Sequence, residues 1–199
     1  MKLLKIIPLI IIILIVHLIY KNNNYKNISY LSIGDLSLYN NKYRMTYTYN
    51  MYLKDYLKEK NKLNNYYSYY KKDLTINDTL NAIKLNKKIK SIGLKRILRE
   101  SSIITITIGN SDLILEDNIN GIYEEEKTVN YTFNKYKKLI KEMKKYNSNI
   151  YIVGSNIKYK NLTDKLNEKL REYYKEKYIG ENTSKSIYNE LRYQIVNEK

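Results

Sequence analysis

Ile103-Ile104-Thr105-Ile106-Thr107-Ile108-Gly109-Asn110-Ser111-Asp112-Leu113 (IITITIGNSDL) decides the fold class. Its first six residues are all β-branched, a composition suited to a buried strand and poorly suited to a helix, where branching at Cβ crowds the preceding turn. Gly109 stops the run. Two shorter stretches have the same form: Ile28–Ile33, ending at Gly34-Asp35, and Ile150–Val153, ending at Gly154. The segments between them carry helical periodicity. Tyr49, Leu53, Tyr56 and Leu57 share one helical face. Ile76, Leu80 and Ile83 share another, opened by Thr75 with Asp78 three residues later, a capping-box pair. Leu94–Glu100 reads as a brief helix. Phe133, Tyr136, Ile140 and Met143 mark the next, Leu162, Leu166 and Leu170 another, and Ile187, Leu191 and Ile195 the last. Strands alternating with helices predict βαβ units and a mainly parallel sheet covered on both faces. The expected fold is an α/β three-layer α/β/α sandwich of flavodoxin-like type over residues 28–199.

In such a sheet, ligand chemistry gathers at the carboxyl ends of the strands. Three turns lie there: Gly34-Asp35-Leu36-Ser37-Leu38, Gly109-Asn110-Ser111-Asp112-Leu113 and Gly154-Ser155-Asn156. Glycine at each permits a tight exit from a strand, and the first two are expected to face each other across a cleft. The chain has no Cys, so thiol chemistry and disulfides are excluded, and without a His in the domain no metal-ligand cluster is expected. No cofactor motif is present. Glu124-Glu125-Glu126 reads as a solvated charged loop. The tyrosine-rich stretch Tyr66–Tyr70 could stack on sugars or bases, but drift in a low-GC genome, which also favours Ile, Lys and Asn, explains it more simply.

The amino terminus differs in kind from the rest. Lys2 and Lys5 precede Ile6–Tyr20, fifteen residues without a charge, and Lys21 closes the run. This is the order of a secretory signal without a small-residue cleavage site, which predicts an uncleaved single-pass membrane helix over residues 1–21 and a polar tether over 22–27. The span is short against the ~20 residues a full crossing needs, although Leu3, Leu4 and the stem of Lys5 can extend it. Lysines flank both ends almost equally, and the signal-like order favours an extracytoplasmic domain on the cell membrane. His17, the single His of the chain, sits inside this run and reads as a tolerated neutral side chain. The formal charge of +16 favours acidic partners through its summed field. The lysines are nevertheless scattered along helix faces beside Glu, and no nucleic-acid-binding motif is present, which argues against specific nucleic-acid binding.

Ile33-Gly34-Asp35-Leu36-Ser37-Leu38 after a first strand resembles the Gly-Asp-Ser-Leu nucleophile block of the SGNH/GDSL esterases and lipases. IITITIGNSDL resembles that family's third block, a strand followed by Gly-x-Asn-Asp. Asn182-Thr183-Ser184-Lys185-Ser186-Ile187-Tyr188 resembles its closing block, His-Pro-Ser-x-x-Gly-Tyr. The resemblance implies acyl-transfer chemistry: a Ser attacks an ester carbonyl, a His takes its proton, an Asp orients the His, and Ser, Gly and Asn groups hold the oxyanion. Position by position, the chain departs from this pattern. Leu36 stands at the nucleophile position with Ser37 one residue later, and no Gly occurs in Asn65–Tyr70, where the second block falls. Gly109 and Asp112 are retained, Ser111 takes the oxyanion Asn position, and Asn110 is displaced by one. Asn182 stands for His and Ile179 for Asp.

A hydroxyl needs a base within hydrogen-bond reach, and losing a triad member costs on the order of 10⁴–10⁶ in rate. The sequence therefore predicts a catalytically inactive, membrane-anchored SGNH-like module taking an envelope lipid or glycan. Its vestigial cleft would be formed by Gly34, Asp35, Leu36, Gly109, Asn110, Ser111, Asp112 and Asn182. Two alternatives stand beside it: an atypical esterase with Ser37 as nucleophile and an unusual base, and a basic protein binding anionic lipid or nucleic acid nonspecifically.

Overall fold

A computed structural model of the chain describes residues 28–35, 48–120, 124–155, 159, 161–180 and 183–197. The expected membrane helix and tether lie outside the described residues, as do Leu36, Ser37, Asn156 and Asn182. Among the described residues no helix is long and apolar enough to cross a membrane.

The strands are β1 (Ile28–Asp35), β2 (Leu63–Lys71), β3 (Lys88–Ile89), β4 (Ile92–Gly93), β5 (Ile103–Thr107), β6 (Ile150–Val153) and β7 (Tyr178–Ile179). The helices are α1 (Tyr49–Glu59), α2 (Ile76–Lys84), α3 (Leu94–Glu100), α4 (Asn110–Asn120), α5 (Glu125–Met143), α6 (Leu162–Tyr174) and α7 (Ser184–Asn197). β3 and β4 form a small antiparallel hairpin, and the other five strands form one parallel sheet in the order β2-β1-β5-β6-β7. The chain steps from β1 out to β2, then back past β1 to β5, so the winding direction reverses between β1 and β5. A doubly wound sheet opens its crevice at that reversal.

Side-chain alternation along the strands divides the core into two layers. Leu31, Ile33, Ile104, Ile106, Ile150 and Ile152 pack beneath α2, α3, α5 and α6. Tyr30, Ile103, Tyr151, Val153 and Ile179 pack beneath α1 and α7. Each fully buried aliphatic side chain contributes roughly 1.5–3 kcal/mol, so the sheet is held from both sides. The expected three-layer α/β arrangement is present. The capping box at the start of α2 is also as expected: Thr75 Oγ1 accepts from the Asp78 amide at 3.0 Å, and the Asp78 carboxylate accepts from the Thr75 amide at 3.3 Å.

Four local expectations need correction. Tyr66–Tyr70 belongs to the edge strand β2, paired residue by residue with β1 from Tyr30↔Tyr66 to Gly34↔Tyr70. Its tyrosines have structural work. The layer beneath α1 carries a stripe of buried hydroxyls, Ser32, Thr105 and Thr107, which must be hydrogen-bonded in the interior. Tyr30 Oη meets Thr105 Oγ1 at 2.8 Å, Tyr70 Oη meets Ser32 Oγ at 2.9 Å, and Tyr49 Oη meets Thr107 Oγ1 at 2.7 Å. Burial pushes the Tyr30 phenol well above its ordinary range, so it remains a neutral hydrogen-bonding group.

Gly34 makes no turn. It lies inside β1, and a Cβ there would stand 2.2 Å from Cε1 of Tyr70, whose ring crosses the strand at this point. Asn110–Leu113 is the start of helix α4 rather than a loop, with the Leu113 amide donating to the Gly109 carbonyl at 2.9 Å. Glu125 and Glu126 form the first turn of α5, where they complement the positive end of the helix dipole.

Candidate functional site

β1 and β5 are neighbours, so their carboxyl ends bring Asp35 beside the start of α4. Gly109 makes the junction. Its φ of +117° is open to glycine and strained for other residues, and a Cβ would press to 3.2 Å from Leu166 Cδ2. The chain thereby turns sharply enough for Asn110, Ser111 and Asp112 to enter the first turn of α4 above the sheet. All three are buried, as is Asp35.

The hydroxyl of Ser111 donates to Oδ2 of Asp35. Oδ1 of the same carboxylate accepts from the Leu74 amide at 3.2 Å. One strand over, Oδ2 of Asp112 accepts from the Ile76 amide at 2.8 Å. Two buried carboxylates thus hold the loop joining β2 to α2, each by a main-chain amide that would otherwise lack a partner in the interior. Asn110 faces the next strand end, where its amide donates to Ser155 Oγ at 2.9 Å. Ser155 is in turn held by Asn167 of α6, which accepts from the Ser155 amide at 3.1 Å and donates to its carbonyl at 2.8 Å.

Asp112 is the titratable group here that the fold perturbs most clearly. Burial raises its carboxyl from the ordinary aspartate range to about 6, against the opposing pull of the Ile76 amide and Lys135, while Glu116 and Asp78 add to the rise. The nearest cation, Nζ of Lys135, is 3.9 Å from Asp112 Oδ1 but only 2.7 Å from Glu116 Oε1, so Glu116 holds it more closely. Lys135 also lies over the Tyr131 ring at 4.6 Å.

Of the residues expected to line a cleft, the structure gathers Gly34, Asp35, Gly109, Asn110, Ser111 and Asp112 at the carboxyl ends of β1 and β5, where Asp35, Asn110, Ser111 and Asp112 are buried. Leu36, Ser37 and Asn182 lie outside the described residues. Sequence reasoning missed Lys135, Glu116 and Asn167. The helical spacing of Glu116 from Asp112 was available in the sequence, but nothing in it aims α5 or α6 at this crevice. Among the described residues no group of acidic side chains is arranged to hold a metal ion. Chemically, the cluster can hold loops and donate or accept hydrogen bonds. Ser111 is only 6% exposed, and its hydroxyl is given to Asp35.

No protein-family model matches the chain, and no curated protein sequence matches it. Solved structures do. A lipase from a goat rumen metagenome superposes with a TM-score of 0.55 at 14% identity, covering 83% of this chain and 96% of that one. An esterase of the SGNH-hydrolase family gives 0.53 at 12% identity, covering 87% and 81%. A variant of an acetyl-xylooligosaccharide esterase from a Geobacillus gives 0.54 at 13% identity, covering 84% and 81%. At such identities the likeness establishes the fold alone, and that fold is SGNH-hydrolase-like.

Proposed function

We propose that this chain, built on the SGNH-hydrolase fold, is a membrane-tethered, non-hydrolytic module that binds a lipid or glycan of the cell envelope. The observation that carries the reading is the commitment of the crevice's polar groups to the scaffold. Asp35 is engaged by the Leu74 amide and the Ser111 hydroxyl, and Asp112 is engaged by the Ile76 amide. The residues at the family's nucleophile and base positions are Leu36 and Asn182, and the single His, His17, belongs to the leader. A serine without an imidazole, or another base of suitable pKa, does not become a nucleophile at neutral pH. The apolar run Ile6–Tyr20 supports tethering to a membrane.

The second reading, an esterase using Ser37, draws on the solved neighbours, which are lipases and esterases by name. One experiment separates the two. Residues 28–199 are incubated with short p-nitrophenyl esters and, separately, with a fluorophosphonate probe. The expected result is hydrolysis at the buffer rate and no covalent label. Turnover above buffer that disappears in Ser37→Ala, with labelling confined to Ser37, overturns the non-hydrolytic reading.

A further inference from the structure

We infer that the end of the domain at which the parallel strands begin is a docking face for an anionic lipid bilayer, with the crevice held at the far end. The inference rests on the membrane-tethering reading above. In a parallel sheet every helix returns the chain from the carboxyl ends of the strands to their amino ends. The returning segments 58–62, 99–102, 141–149 and 171–177 therefore share one end. Together they carry ten Lys and Arg against five Glu. At the opposite end, residues 110–120 and 124–127 of α4 and α5 carry six acidic side chains and one Lys, and the end of β2 adds Lys71, Lys72 and Asp73.

The lysines at the strand-start end are available. Lys58, Lys60, Lys141, Lys144 and Lys175 are all exposed, and none is paired with a carboxylate among the described residues. Tyr173 stands among them with 59% of its surface exposed, a ring with a polar tip of the kind favoured at headgroup depth. A groove of about 840 Å³ runs along α5 and reaches this end at Lys141, Lys144 and Tyr173.

Chain connectivity places the bilayer on this side. Ile28, the first residue of β1, donates its amide to the Lys62 carbonyl at 2.6 Å, so the chain enters the domain beside one of the basic loops. The tether of residues 22–27 reaches at most roughly 20 Å when fully extended. An anchored domain is therefore held within two or three Debye lengths of the surface, each about 8 Å at physiological salt. The tether's reach lets the basic loops come within about one Debye length of the surface, and it is within that distance that anionic lipid attracts juxtamembrane lysines.

The native chain has no Cys, so single cysteines report position cleanly. The full chain, carrying Ser148→Cys at the basic end or Glu126→Cys at the acidic end, is labelled with an environment-sensitive dye. It is then reconstituted into vesicles of phosphatidylcholine alone or with phosphatidylglycerol, bearing a headgroup quencher. The expected result is quenching at Ser148→Cys several-fold stronger than at Glu126→Cys in anionic vesicles. The difference is lost in neutral vesicles, in about 0.5 M salt where the Debye length falls to about 4 Å, and on replacing the five unpaired lysines with Gln. Equal quenching at both sites, or insensitivity to lipid charge, in a chain that floats with the vesicles overturns this inference alone. A chain that does not float with them overturns the tethering reading and the inference together.

Discussion

Asp112→Asn tests the electrostatics of the crevice. The carboxyl is raised from 3.8 to about 6, chiefly by burial, so the folded protein binds this proton more tightly than the unfolded chain does. A raised acid contributes stability that is present below the unfolded value and is lost as pH rises through the folded value. Two pH units correspond to about 3 kcal/mol. The wild-type protein should lose about that much relative to D112N between about pH 4 and pH 7, most of it before pH 6.5. The amide substitute keeps an acceptor for the Ile76 N–H and carries no charge to desolvate. The other carboxylates titrate in both proteins and cancel to first order in the difference.

Urea unfolding of residues 28–199, followed by tyrosine fluorescence across that pH range, measures the effect. With a slope of about 2 kcal/mol per molar urea, the two midpoints should diverge by about 1–1.5 M as pH rises, D112N becoming the more resistant. A difference that stays constant with pH refutes the reasoning. So does one that grows in favour of the wild type, which would mean that Lys135 stabilises the charged form more than burial opposes it.

Gly109→Ala introduces a Cβ at a φ of +117° and 3.2 Å from Leu166 Cδ2. It should cost about 1–3 kcal/mol, read as a drop of several degrees in Tm. At Gly34 the conflict is with one side chain. Gly34→Ala should be strongly destabilising alone because Tyr70 must leave Ser32, and much less so when combined with Tyr70→Ala. The double-mutant cycle should show a coupling of about 1–3 kcal/mol; additive effects would refute the ring's position over the strand.

Much of the architecture follows from local chemistry. Ile103–Thr107 forms a strand because β-branched residues tolerate little else, and α2 begins where Thr75 and Asp78 can cap each other. α3 spans Leu94–Glu100, as its sequence pattern predicts. β2 escaped notice because Asn64-Asn65-Tyr66-Tyr67-Ser68-Tyr69-Tyr70 has no apolar alternation. It is a strand because β1 offers it a parallel edge, and its Tyr70 answers the Ser32 hydroxyl on β1, which no local window contains. The start of α4 was equally hidden, since Asn, Ser and Asp favour turns and caps as readily as a first helical turn.

The sequence by itself determined the α/β class, the Gly109 turn that ends the β5 strand, and the absence of an imidazole from the domain. These depend on composition and on spacings of a few residues. Tertiary structure alone decided what the retained carboxylates do. Asp35 and the Leu74 amide are 39 residues apart, and Asp112 and the Ile76 amide 36 apart. They meet only because the sheet places β1 between β2 and β5, and burial there, not proximity in the chain, sets which groups hold a proton.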